Sequence, residues 1–126
     1  GSKVVVLCRT KAQAEAAASV PWLSEIILDF LEVHGLVEAV ASVRKAGKRV
    51  TVATPRILKP DEHNMYRFYL KLGADALLVR SAGMLQRLMD LGGEGAAVEE
   101  VKGAVIPQLY GDFSLNVANQ IAAIEL

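Results

Sequence analysis

The stretch LYGDFSLN, residues 109–116, marks the point where an apolar run ends and a new periodic segment begins. Residues 104–109 are mostly apolar, and the residues after the stretch are apolar at helical spacing. Gly111 permits backbone angles that other residues adopt only at a cost. Asp112 or Ser114 can place an oxygen over the first unpaired amides of a helix. The stretch therefore predicts a buried strand, a sharp turn and a helix.

Four earlier apolar segments end in the same way, each followed by a segment with helical periodicity. The predicted strands are residues 3–8, 25–30, 49–54, 75–80 and 104–109, and the predicted helices are residues 11–19, 36–46, 60–72, 81–91 and 114–126. A regular alternation of strands and helices is typical of parallel strands joined by right-handed crossovers. The sequence therefore predicts an α/β protein.

Two architectures fit five parallel βα repeats: an open, doubly wound sheet, or part of an eight-stranded barrel. The chain has 126 residues, about half of the roughly 250 that a complete TIM-type barrel usually needs, and its last predicted helix runs to the final residue. We therefore expect half of a TIM-type barrel, with five strands and five helices. Residues 3–126 are then a single domain cut from a larger barrel, and residues 1–2 resemble a scar from an expression tag.

The amino-acid composition limits which binding partners and which cellular location we expect for this protein. Fourteen basic and fourteen acidic residues cancel, so the chain as a whole has no charge excess that would attract nucleic acid. The sequence has no apolar run of the roughly 18 residues that a membrane span requires. One cysteine, Cys8, cannot form an internal disulfide or a metal cage. These observations predict a cytoplasmic protein with no membrane contact, and no metal or cofactor held by this chain.

Polar side chains follow the predicted strands, and the carboxyl ends of parallel strands meet at one edge of a sheet. Arginine side chains there suit an anionic ligand, because guanidinium binds carboxylate or phosphate through paired hydrogen bonds. The predicted substrate-binding residues at the strand ends are Asp29, His34, Arg56, Arg80, Asp112 and Asn116. The sequence leaves other roles open: the arginines as ion-pair partners that stabilise the barrel mouth, Asp112 and Ser114 as helix caps, and His34 as a solvated side chain. It identifies no catalytic residue.

Three segments of the sequence resemble the collagenase-like peptidase family, the thirty-second family among peptidases of unknown catalytic type. They are ATPRI at 53–57, GADALLVR at 73–80 and GDFSLNVAN at 111–119, of which the last is the most specific. LDFLEVHG at 28–35 resembles the longer branch of the family, whose members carry an extra domain. The resemblance covers nearly the whole chain as part of a barrel-like catalytic domain. It implies that Arg80, Asp112, Ser114 and Asn116 help to form the substrate-binding site of that domain, with their individual roles open.

The resemblance implies more than one activity for a parent protein. Some family members are similar to hydroxylases that modify a pyrimidine of RNA and use prephenate, and an iron–sulfur cluster in some of them is bound by cysteines that follow the GDFSLN segment. This chain contains no cysteine after that segment, so any cluster would belong to residues outside it. The expected partners of the parent are an anionic small molecule or RNA. A peptidase of collagenase type and a non-catalytic folding module are the alternatives.

We expect the isolated chain to be inactive and to self-associate. Five parallel strands leave two open edges, and open edges with uncovered apolar faces favour pairing with another chain. The expected assembly is a homo-oligomer or a domain-swapped dimer.

Overall fold

A computed structural model describes residues 4–56, 64–111 and 122–125 of the chain. The strands are β1 (Val4–Cys8), β2 (Glu25–Leu28), β3 (Arg49–Ala53), β4 (Ala76–Val79), β5 (Gln108–Gly111) and β6 (Ala122–Glu125). The helices in the described residues are α1 (Lys11–Ala18), α2 (Leu36–Lys45), α3 (Met65–Lys71) and α4 (Ala82–Asp90).

All strand pairs in the sheet are parallel, and the strand order is β5-β4-β3-β2-β1-β6. From β1 to β5 each strand lies beside its neighbour in sequence, which is the succession that a TIM-type barrel uses. The prediction of an α/β protein built from parallel βα repeats is confirmed, and the arrangement is consistent with part of a barrel. The carboxyl ends of β1 to β5 consequently lie at one edge of the sheet.

The expected fifth helix is wrong over Ala122–Glu125, because these residues form β6 and pair with β1. The outer edge of β1 presents backbone groups that need partners, and a parallel strand supplies them. Residues 114–121 and 126, the rest of that predicted helix, lie outside the described residues, as does the predicted helix start at residues 60–63.

The fifth strand begins later than the apolar run 104–109 predicted. Val105 instead forms an antiparallel bridge with Ala97, and Ile106 exchanges backbone hydrogen bonds with Gly95 and Ala96. Pro107 follows, and a proline has no N–H to donate to a strand ladder. The apolar run is therefore divided between a local hairpin, residues 95–106, and β5.

The helices and one face of the sheet form a single hydrophobic core. Alternate strand residues belong to it, including Val50 and Val52 of β3, because successive side chains of a strand point to opposite faces. Val40 and Val43 of α2 pack into the same core, as the apolar stripe of that helix predicts. The hairpin contributes Val98, Val101 and Ile106 to it, each buried.

Local sequence signals place the helix ends as predicted. Ser81 caps α4, since its Oγ accepts a hydrogen bond from the Met84 N–H at 3.3 Å. Gly47 follows α2 with a φ of 78°, which is the left-handed conformation that glycine adopts without strain. Because these ends are fixed, the polar residues that follow β2, β3 and β4 have defined positions at the carboxyl edge.

The opposite edge of the sheet has its own polar contacts. Asp75 accepts a hydrogen bond from the Val50 N–H at 2.9 Å and contacts the Arg44 guanidinium at 3.3 Å. The Lys48 ammonium, which is buried, donates to the carbonyl oxygens of Val20 and Leu23, both at 2.6 Å. These contacts tie the chain segments that enter β3 and β4. No helix formed by the described residues has the length and apolar character needed to cross a membrane.

Candidate functional site

The carboxyl ends of β1 to β4 surround a cleft with a volume of about 820 Å³. Its polar lining residues are Arg9, Asp29, Glu32, Thr54, Arg56 and Arg80, and its apolar lining residues are Leu7, Phe30, Leu31, Val33, Pro55, Met65 and Tyr69. Each polar side chain comes from a residue that follows a strand, as the βα repeat requires. The cleft is therefore a product of the fold itself, not of one inserted loop.

An ion pair between Arg80 and Asp29 lies in the cleft. Arg80 Nη1 is 2.8 Å from Asp29 Oδ1, and the two side chains are 14% and 19% exposed. Arg80 follows β4 and Asp29 follows β2, so the arginine side chain reaches across the end of β3 to make the contact. The guanidinium group of Arg80, paired with Asp29, thus lies across the carboxyl end of β3.

Thr54 holds the backbone from which Arg80 projects. Its Oγ1 accepts a hydrogen bond from the Arg80 N–H at 3.1 Å and donates to the Leu78 carbonyl oxygen at 3.4 Å. The Thr54 N–H donates to the same carbonyl at 2.9 Å. Thr54 is 1% exposed, so water cannot reach its polar atoms, and these hydrogen bonds satisfy them instead. The threonine hydroxyl therefore fixes where the arginine begins.

Two further arginines, Arg9 and Arg56, line the cleft from exposed positions after β1 and β3. Together with Arg80 they place three guanidinium groups around one space, against the two carboxylates of Asp29 and Glu32. The lining consequently carries an excess of positive charge. Such a set of donors is suited to carboxylate or phosphate oxygens.

Apolar side chains form the rest of the cleft wall. Tyr69, which is buried, and Met65 come from α3, while Phe30 follows β2 and packs against the core. Leu31 also lines the cleft and is almost fully exposed. A ligand in the cleft would meet both charged and apolar surface.

The predicted site residues divide into three groups. Asp29, Arg56 and Arg80 lie together in the cleft. His34 is exposed before α2 and is not among the cleft-lining residues. Asp112, Ser114 and Asn116 lie outside the described residues, so their place at the site stays a prediction. The alternative role suggested for the arginines, an ion pair at the strand ends, is what Arg80 forms with Asp29.

A second polar cluster, the tyrosine cluster, was not predicted from the sequence. It consists of Tyr66 and Arg67 of α3, Arg87 of α4 and Glu100 of the hairpin. The buried Tyr66 hydroxyl donates to Glu100 Oε2 and accepts from Arg67 Nε and Arg87 Nη2, both at 3.3 Å. The Arg87 guanidinium also lies 5.1 Å from the centre of the tyrosine ring. The cluster joins two helices to the hairpin away from the cleft.

The tyrosine cluster alters the ionisation of its carboxylate. The hydrogen bond from the Tyr66 hydroxyl, aided by the charges of Arg67 and Arg87, holds the pKa of Glu100 below its usual range. Sequence periodicity gave no sign of this contact, because Glu100 lies in the turn of the hairpin, outside any helix or strand, 34 residues from Tyr66.

Cys8 does not belong to the candidate site. The thiol lies on the core face of β1 with no exposed surface, and burial raises its pKa to about 11. A thiol protonated at neutral pH is a poor nucleophile. Among the residues of 4–56, 64–111 and 122–125, no group of three or more His, Cys, Asp or Glu side chains could hold a metal ion.

The fold and the cleft define an α/β protein whose candidate site lies at the carboxyl ends of parallel strands, where proteins of this class bind their ligands. Comparisons with models of protein families, with curated proteins and with solved structures found no match for this chain.

Proposed function

We propose that the cleft binds a small organic anion through a carboxylate or phosphate group. The observation that carries the proposal is the convergence of Arg9, Arg56 and Arg80 on one cleft from the ends of three different strands. Charge-assisted hydrogen bonds from guanidinium to carboxylate are among the strongest polar contacts that proteins make. The partly exposed setting leaves room for the ligand, and the apolar wall accommodates its carbon skeleton.

The resemblance to the collagenase-like peptidase family makes this proposal more specific. We propose that the parent protein is an RNA-modifying hydroxylase that uses prephenate, a dicarboxylate, and that this chain supplies part of the substrate-binding barrel. RNA would be the second partner of the parent, and an iron–sulfur cluster would require cysteines outside the present sequence. A cytoplasmic location and self-association of the isolated chain belong to the same proposal.

The peptidase and the non-catalytic module stay predictions. Two described residues of nucleophilic type near the strand ends are committed to other roles. Cys8 is enclosed in the core with a raised pKa, and the Ser81 hydroxyl accepts the hydrogen bond that caps α4. Neither arrangement favours hydrolysis by these side chains, so anion binding is the function that the cleft geometry supports best.

Isothermal titration calorimetry of the 126-residue chain with prephenate at pH 8 tests the proposal. We expect Arg56→Ala to weaken binding by about 10-fold or more, because a hydrogen bond to a charged group contributes roughly 1.5–3 kcal/mol. Arg44→Ala is the matched control, since it removes an arginine from the opposite edge of the sheet. Inorganic phosphate and succinate, titrated in parallel, distinguish a general anion site from one that also needs the ring of prephenate.

Equal affinity of the Arg56 and Arg44 variants for every probe would refute the assignment of Arg56 to the site. Lack of binding by the unsubstituted chain at millimolar concentrations of all three probes would refute anion binding in the cleft.

A further inference from the structure

We infer that Asp29 is an internal competitor for the anion: its carboxylate holds Arg80 when no ligand is bound and thereby limits the affinity of the cleft for anionic ligands. The inference rests on the proposed function and deepens it, because it assigns Asp29 an effect opposite in sign to that of the arginines. An ordinary ligand-binding residue strengthens binding, whereas a competitor weakens it.

The position of Asp29 is set by the backbone. Its N–H donates to the Cys8 carbonyl oxygen at 2.9 Å, which extends the β1–β2 ladder by one residue. The side chain therefore starts from a fixed point beside the cleft. Its carboxylate faces Arg80, whose own backbone is fixed by Thr54. The backbone N–H of each partner is therefore held by a hydrogen bond.

The environment of the pair makes the competition effective. Both side chains line the cleft, yet they are 14% and 19% exposed, so water screens their charges less than at an open surface. A ligand carboxylate that approaches Arg80 has to share the guanidinium with Asp29. It also meets a like charge, and two like charges about 6 Å apart in such a site repel enough to change an affinity by at least about 10-fold.

A purely structural role for Asp29 gives a different expectation. If the ion pair only stiffens the ends of β2 and β4, neutralising the carboxylate loosens Arg80 and leaves anion affinity unchanged or lower. If Asp29 competes with the ligand, the same change raises anion affinity. The direction of the change therefore separates the two roles.

The experiment is Asp29→Asn in the complete chain, titrated with prephenate and with succinate under the conditions used for the unsubstituted chain. Asparagine keeps the shape of the side chain and an oxygen that can accept from Arg80, but it carries no charge. We expect about 10-fold tighter binding of both dicarboxylates. Asp75→Asn is the matched control, because it neutralises a carboxylate paired with an arginine at the opposite edge of the sheet, and we expect less than a 2-fold change.

A second measurement tests whether the gain passes through the arginine. In an Arg80→Ala background the competition for the guanidinium is absent and only the like-charge repulsion remains, so we expect Asp29→Asn to raise affinity by less than it does in the native background. If circular dichroism shows that Asp29→Asn does not fold, Asp29→Ser, which leaves space for water beside the guanidinium, replaces it with the same expectation.

The outcomes separate this inference from the proposed function. Suppose that the native chain binds the anions and that Arg56→Ala weakens this binding. If Asp29→Asn then leaves the affinity unchanged or lowers it, the competitor role is overturned while anion binding stands. Absence of binding in the native chain and in the Asp29 variant overturns both. Tighter binding by Asp29→Asn alone, with Asp75→Asn unchanged, supports the competitor role.

Discussion

Replacing Thr54 by valine tests whether one buried hydroxyl fixes the central arginine of the cleft. Valine has nearly the same shape as threonine but cannot accept a hydrogen bond. The substitution leaves the Thr54 N–H bond to the Leu78 carbonyl in place, so that carbonyl keeps a partner. The Arg80 N–H instead loses the acceptor that it contacts at 3.1 Å.

The expected cost follows from these contacts. A buried donor that loses its acceptor costs about 1–3 kcal/mol, and the extra methyl group of valine returns up to about 0.8 kcal/mol through burial. We therefore expect Thr54→Val to lower the free energy of unfolding by about 1–2 kcal/mol. Thr54→Ser is the matched control, because serine keeps the hydroxyl and loses only a methyl group, at a cost of about 0.8 kcal/mol through lost burial.

Urea denaturation followed by circular dichroism measures the difference. With a typical slope of about 2 kcal/mol per molar urea for a domain of this size, the midpoint of the valine variant should fall by roughly 0.5–1 M at an unchanged slope. We also expect weaker prephenate binding by Thr54→Val than by Thr54→Ser, since Arg80 would lose its fixed starting point. A valine variant as stable as the native chain, with the same affinity, would show that the hydroxyl does not position Arg80.

Two further substitutions test the connection between α4 and β5. Gly92→Ala should destabilise the fold by about 2–4 kcal/mol, because a Cβ at Gly92 would lie 2.7 Å from the Cβ of Ala96 and φ there is 120°. Gly47→Ala, after α2, is its control: φ there is 78° and the surrounding space is open, so this substitution should cost only about 1 kcal/mol. Equal urea midpoints for Gly92→Ala and Gly47→Ala would contradict this reasoning. Because folding lowers the pKa of Glu100, its ionised carboxylate contributes stability at pH values above the usual carboxyl pKa, and that contribution is lost as pH falls through the folded-state pKa. Tyr66→Phe removes its main cause, so urea midpoints between pH 7 and pH 3 should fall less steeply for this variant, whereas parallel pH profiles would argue against the tyrosine cluster as the origin.

The contact between Asp29 and Arg80 could be anticipated because it depends only on regular structure. Each residue directly follows a buried apolar strand, and the βα rhythm predicts that β2 and β4 end at the same edge of one parallel sheet. The only missing information was their separation, which the long arginine side chain spans across β3. Strand-end position, residue type and side-chain length were sufficient in this case.

The later part of the chain was harder to predict for physical reasons. The run 104–109 is apolar, but apolar character alone does not distinguish a parallel strand from a hairpin arm. Val105 bridges to Ala97, a pairing decided by the turn between them and by the buried surface that the hairpin provides. Tertiary contacts of this kind override local pattern, and the same reason explains why the Tyr66 contact to Glu100 was missed.

The succession of β1 to β5 has a consequence for how the chain assembles. Every ladder in this series joins strands that are consecutive in sequence, so each closes a short loop and the entropic cost of closure stays small. Pairing between strands that are close in sequence is associated with fast folding, so we expect this part of the sheet to form faster than a sheet of the same size whose strands pair out of order.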